Sequence, residues 1–127
     1  MKLTSHKFPF TIAFADTDAA GIVYHARFIE IAERARMAWF KKEMLADKNG
    51  GFIIKKLSAK YDIPLNLMDE IIVESSATNV GAASVDIEQK FLRDGIVCAI
   101  INIRVAYVDI KNLKPQRIPA DWLGQLS

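Results

Sequence analysis

The sequence predicts an α+β domain in which one antiparallel sheet wraps around a single long central helix. Three observations point to this class. One long stretch, from about Ala26 to Trp39, carries apolar residues at helical spacing. The segment before it, and most segments after it, alternate with a period of two and are rich in β-branched and aromatic residues. The breaks between them are short Gly, Asp, Asn and Pro signals, with no repeat and no low-complexity linker, so residues 1–127 read as one domain.

Taken in order, Phe8, Phe10, Ile12 and Phe14 alternate with Lys7, Pro9, Thr11 and Ala13, the pattern of a half-buried strand. Pro9 lacks a ladder donor, which places this strand at an edge or makes its first half irregular. Asp16 to Tyr24 reads as a loop with two aspartates and a glycine. Phe28, Ile31 or Ala32, Ala35 and Trp39 then form a helical stripe that Ile29, Met37 and Ala38 widen. Glu30, Glu33, Arg34, Arg36, Lys41 and Lys42 lie mostly elsewhere, giving a helix of roughly 17–20 residues with a broad apolar face. Asn49-Gly50-Gly51 ends it.

Strands are expected at Phe52–Tyr61, Glu70–Val80 and Ala83–Leu92, the last two separated near Gly81. Asp94-Gly95 signals a tight hairpin into a long apolar strand, Ile96–Val108, suited to the centre of the sheet. These four strands are expected to follow one another as an antiparallel meander. A proline-rich turn from Lys114 to Pro119 leads to a short helix starting near Pro119 or Ala120. A helix this apolar must bury most of its circumference, and one curved sheet can cover it.

Composition narrows the function classes. Half the residues are apolar (51%) in a chain of 127, rich for a small monomer, so part of this surface is expected to meet a second copy. The net charge of +2 is spread along the chain, with no basic block or Lys/aromatic alternation that would suit nucleic acid or a membrane surface. Cys98 is the only cysteine and sits within the apolar run Ile96–Ile103, which marks it as a buried core thiol. One Cys and two distant His provide no zinc-ligand spacing. No signal peptide and no run of 18 apolar residues is present, so a soluble, cytoplasmic protein is expected.

The segment Asp16-Thr17-Asp18-Ala19-Ala20-Gly21-Ile22-Val23-Tyr24-His25 is where chemistry is expected. Two carboxylates stand just before a helix N-terminus, whose dipole and free N–H groups keep an acid ionised. Helix capping accounts for that spacing equally well, although Asp18 lies about seven residues before the helix proper, farther than an N-cap requires. Gly21 permits a positive φ or close backbone approach, and the small-then-apolar run around it can line a pocket. A carboxylate could face an electrophile there while the helix N-terminus supplies donors for an oxyanion, with His25 as donor or proton shuttle.

Asp16 through Phe28, continued by Glu33-Arg34-Ala35-Arg36, resembles the signature of hot-dog-fold thioesterases. Among these it is most similar to the 4-hydroxybenzoyl-CoA thioesterase family, in the branch typified by the acyl-CoA thioesterase encoded beside the Tol–Pal envelope genes. The likeness continues through Phe52 to Lys56, Gly81 to Ser84, the Asp94-Gly95 turn and Lys114 to Pro119. It implies the hot-dog fold and hydrolysis of an acyl-CoA to free acid and CoA, with no cofactor beyond the CoA of the substrate. It implies that Asp18 is the nucleophile or general base, and that the backbone N–H of His25 binds the carbonyl oxygen. Tyr24 and the His25 side chain would shape the pocket. Edge-to-edge dimers, commonly paired into tetramers, would place each site between subunits.

Some alternatives stay open. Asp16 is assigned to loop support through local hydrogen bonds. Gly21 and the small residues Gly81, Ala82 and Ser84 are candidates for contact with substrate, although Gly81 to Ser84 read equally as an ordinary turn. Lys114 and Arg117 read first as a solvated basic turn, and Trp39 and Trp122 as packing residues. The same chemistry on acyl carrier protein or on hydroxybenzoyl or hydroxynaphthoyl thioesters is a second reading. A non-hydrolytic acyl-thioester binding or adaptor protein is a third, disfavoured because a pure binder has no need of Asp18.

Overall fold

The protein is described by a computed structural model over residues 5–126; the first four residues, part of the amino-terminal stretch read above, and Ser127 lie outside the described residues. Five strands, β1 (Ser5–Thr11), β2 (Gly50–Tyr61), β3 (Glu70–Val80), β4 (Ser84–Arg93) and β5 (Ile96–Asp109), form one antiparallel sheet in the order β1-β3-β4-β5-β2. Helix α1 (His25–Trp39) covers one face of it, followed by α2 (Lys41–Ala46), and α3 (Ala120–Leu126) closes the described chain. The α+β class and the single helix–sheet core are those expected.

The register explains each choice. Among the described residues β1 pairs only with β3, at an edge of the sheet where the missing N–H of Pro9 is tolerated. It stops at Thr11, earlier than the alternation suggests: Phe14 belongs to a 3-10 turn (Phe14–Asp16) and is 82% exposed. The hairpin between β4 and β5 turns through Asp94 (φ 53) and Gly95 (φ 77), two left-handed residues of the kind a right-twisted two-residue turn requires.

The expected sheet order and the expected helix are both corrected. Only β3, β4 and β5 form a meander, because β2 pairs with the far side of β5. The crossover through α1 carries the chain over the sheet and delivers β2 to the opposite edge from β1. The long apolar strand β5 is therefore next to an edge, and β4 is central. The second correction concerns the helix, which runs 15 residues and then breaks at Phe40 (φ −106, ψ 18) before α2. Phe40 turns inward there, stacked on Trp39 at 4.4 Å and against Trp122 at 5.4 Å, so aromatic packing accounts for the break.

Helix α1 buries Phe28, Ile31, Ala32, Ala35 and Trp39 on the sheet, close to the stripe read from the sequence. A polar seam crosses this apolar layer. Fully buried Gln89 on β4 donates to the Ala32 carbonyl (2.9 Å) and to Ser75 Oγ on β3 (3.0 Å), and its Oε1 accepts from Arg36 Nη1 (2.9 Å). Buried polar groups are tolerated when paired, and this seam fixes the helix in register over β3 and β4. Cys98 is buried, as expected.

At the far end, Asp47 ties three elements together. It accepts from the Tyr107 hydroxyl, from Trp122 Nε1 (3.1 Å) and from the backbone N–H groups of Asn49 and Gly50. Burial alone would raise its pKa, but the hydrogen bonds from Tyr107, Gly50, Trp122 and Asn49 outweigh that and hold it at about 2. Burial first, then the bond to Asp47, pushes Tyr107 up to about 12. Because the folded pKa of Asp47 lies below the ordinary 3.8, its stabilisation is present above that value and is lost as pH falls toward about 2. Melting curves between pH 6 and pH 2, taken with order-one pH steps, should therefore fall less steeply in Asp47→Asn than in the parent. Parallel curves would remove the assignment.

Candidate active site

The loop between β1 and α1 is built by hydrogen bonds that use its two aspartates differently. Asp16 is 1% exposed. Its Oδ2 accepts from the Ala13 N–H (2.7 Å) and its Oδ1 from Arg27 Nε (2.7 Å), so one carboxylate joins the loop entrance to the first turn of α1. The hydrogen bond with Asp16 is also the main cause that holds the Arg27 pKa above its ordinary value.

Asp18 is exposed. A small antiparallel bridge pairs Thr17 with Val23, and the turn inside it closes through Gly21 N–H to the Asp18 carbonyl (3.0 Å). Gly21 has φ +77, the left-handed conformation its sequence position suggested. Asp18 Oδ1 accepts from the Ala20 N–H (2.9 Å) and the Ile22 N–H (3.3 Å). One oxygen anchors the side chain to the turn, and the other, Oδ2, has no hydrogen-bond partner among the described residues.

A second loop braces the first. The Val23 N–H donates to the Leu65 carbonyl (2.9 Å), the Leu67 N–H donates to the Gly21 carbonyl (2.9 Å), and Ile22 bridges Asn66. That loop is itself clamped from β4: Arg93 Nη1 donates to Asp69 Oδ2 (2.6 Å) and to the Pro64 carbonyl (3.2 Å), and Asp69 Oδ2 also accepts from the Asn66 N–H (2.7 Å).

His25 opens α1, and Tyr24 before it makes no side-chain cap. First-turn N–H groups have no intrahelical acceptor, so this helix end offers donors and a positive dipole end without a competing side chain. The exposed His25 ring sits edge-on to Tyr61 at 4.7 Å, and the Tyr61 hydroxyl donates to the His25 carbonyl (3.0 Å). Tyr61 also packs edge-on against buried Phe28 (5.1 Å). The last residue of β2 thus holds the first residue of α1. Tyr61 carries no functional signal in the sequence, because an aromatic residue ending a strand signals only packing. Tyr61→Phe keeps the ring contacts and removes one hydrogen bond, so kcat should drop roughly fivefold with little change in KM. An unchanged kcat would show that the hydroxyl does not position His25.

The structure brings Asp18, Gly21, Tyr24 and His25 into one region and leaves Gly81, Ala82 and Ser84 out of it. Gly81 and Ala82 lie in the turn after β3 and Ser84 opens β4; the Gly81 N–H donates to the Ser84 carbonyl (2.8 Å) and the Ala82 carbonyl accepts from the Ile118 N–H (2.8 Å). β1 meets β3 at Thr11 opposite Glu70, so the Asp18 loop lies at the other end of an 11-residue strand. That is a separation on the order of 30 Å along the sheet. Within one chain these residues cannot share a ligand's reacting end. A cavity of about 550 Å³ lies toward that same far end, beside the C-terminal half of α1, and Asp18 does not line it.

Among the described residues, no helix is long and apolar enough to cross a membrane. Residues 12–126 match the thioesterase-like superfamily. The chain is 31% identical over 120 residues to the acyl-CoA thioesterase YbgC of Haemophilus influenzae, covering 90% of this chain and 88% of that one. It is 26% identical over 131 residues to the acyl-CoA thioester hydrolase YbgC of Escherichia coli, covering 98% of each. The fold superimposes on the 1,4-dihydroxy-2-naphthoyl-CoA thioesterase from Synechocystis with a TM-score of 0.86 at 16% identity, over 97% of this chain and 96% of that one.

Proposed function

The chain belongs to the thioesterase-like superfamily and is a thioesterase of the hot-dog fold, and from that premise we propose that it hydrolyses acyl-CoA to free acid and CoA at Asp18 and the start of α1. The observation that carries this reading is the Asp18 carboxylate, held by Oδ1 with Oδ2 left open, on a loop packed against an uncapped helix N-terminus. Asp18 acts on the thioester carbonyl, as nucleophile or as the base that activates water. The His25 N–H and the helix dipole stabilise the oxygen as it takes on negative charge. Tyr24 and the His25 ring form the wall of the site. The reaction uses no metal or redox cofactor in this scheme, and the protein acts in the cytoplasm, in the branch typified by the Tol–Pal-associated enzyme.

The site is shared between two copies. Among the described residues β2 pairs on one side only, with β5, which leaves its outer edge without a strand partner there. A two-fold pairing of this edge with its own copy is necessarily antiparallel and sets the Gly50 end of one β2 beside the Tyr61 end of the other. The Asp18 and His25 region of one chain then adjoins the far end of its partner, where Gly81, Ala82 and Ser84 lie. This explains why those residues are remote from Asp18 in a single chain. Dimers pair further into tetramers in this reading.

Thiol release measured over short-chain, long-chain and aromatic CoA thioesters and over acyl carrier protein thioesters tests the assignment, with Asp18→Asn as control. Release from none of them, with saturable binding retained, would leave an acyl-thioester binding protein instead.

A further inference from the structure

The cavity of about 550 Å³ beside the C-terminal half of α1 is walled mainly by apolar side chains, among them Met37, Phe40, Met44, Phe52, Ile54 and Ile110. Its volume lies in the range of small-molecule sites. One wall breaks the pattern. Arg36 sits there, partly buried between α1 and the sheet, and it makes no ion pair among the described residues. Among the described residues its guanidinium makes one hydrogen bond, from Nη1 to the fully buried, neutral Gln89. A guanidinium carries five N–H donors and no acceptor, and leaving donors unpaired in an apolar wall is costly. Loss of hydration on burial accordingly lowers its pKa, partly offset by Glu33.

Because the two-fold pairing above sets this end of the chain beside the partner's Asp18, the cavity is placed to hold the acyl group of a thioester cleaved there. We infer that Arg36 is a specificity-determining residue that selects apolar acyl groups bearing a neutral oxygen, a hydroxyl or keto function, in their distal part. The inference rests on the proposed thioesterase site. The oxygen is neutral for an electrostatic reason. Glu33 and Asp47 also line the cavity. Two carboxylates against one guanidinium disfavour a third negative charge, whereas a hydroxyl or keto oxygen can accept from the free N–H groups without that repulsion.

The test compares substrates matched in carbon skeleton: decanoyl-CoA with ω-hydroxydecanoyl-CoA, and benzoyl-CoA with 4-hydroxybenzoyl-CoA. In the parent protein at least one hydroxylated member should exceed its plain partner in kcat/KM by about tenfold or more, the effect of one hydrogen bond to a charged donor. Arg36→Met should bring that ratio close to one by lowering kcat/KM for the hydroxylated substrate far more than for its plain partner. Arg36→Lys, which retains the charge and can reach Gln89, serves if the Met variant does not fold, and it should reduce the ratio part of the way. A parent ratio at or below one for both pairs overturns the inference without any variant, as does a ratio that Arg36→Met leaves unchanged. Brisk hydrolysis of the plain substrates in either case would leave the thioesterase reading standing. Absence of hydrolysis throughout would remove both.

Discussion

Asp18→Asn should abolish most turnover, by on the order of 10²- to 10⁴-fold, while the melting temperature stays nearly unchanged. The two halves of this result follow from the two oxygens. The structural oxygen is Oδ1, which accepts from the Ala20 and Ile22 N–H groups, and an asparagine carbonyl can accept the same two bonds. Asp18 is exposed and forms no ion pair among the described residues, so replacing the charge should shift stability by no more than about 0.5 kcal/mol. The other oxygen becomes an NH₂ group, which can neither attack a thioester carbonyl nor take a proton from water. Thiol release and thermal melting measured on the same preparation check both halves. A variant retaining half of the parent's kcat would remove Asp18 from the chemistry.

The fold was largely legible because its signals are local. Helical spacing between Phe28 and Trp39 located α1, and the Asp94-Gly95 pair located the β4–β5 hairpin through the left-handed backbone that both residues adopt. What the sequence could not reveal was the partner of each strand. Alternation tells which face of β2 is buried but not that it pairs with β5, because that choice depends on where the α1 crossover delivers the chain. The break at Phe40 was hidden for a similar reason. Trp122, which packs tilted against Phe40, is far along the chain, and no periodicity reports that contact.

The candidate site divides along the same line. Asp18, Gly21 and His25 are close in sequence, but their spacing alone allowed helix capping, and the resemblance to hot-dog thioesterases was needed to point to chemistry there. Tyr61, Asp69 and Arg93, which hold the loop and the helix start, come from three distant segments and look like ordinary strand and loop residues in isolation. Arg36 was legible as a charge outside the helix's apolar stripe, yet the structure turns it toward Gln89 and a cavity wall.

Asp16→Ala should behave in the opposite way to Asp18→Asn: a large loss of stability, with activity falling because the loop is no longer held. Asp16 is 1% exposed and binds both the Ala13 N–H and Arg27 Nε at 2.7 Å. Truncation leaves Arg27, whose side chain is 17% exposed, with only its surface contact to Glu30. Removing one partner of a buried pair costs about 3 kcal/mol, which for a domain of this size lowers the melting temperature by roughly 10 °C. The cost comes mainly from the abandoned charge, so adding Arg27→Met to Asp16→Ala should recover stability. A double-mutant cycle on melting curves should show a coupling of about 1 kcal/mol or more. Turnover of the double variant should stay below that of the parent, because nothing then joins the loop entrance to α1. If Asp16→Ala instead melted like the parent and lost only turnover, the burial of Asp16 would serve chemistry, and the division between the two aspartates would have to be reversed.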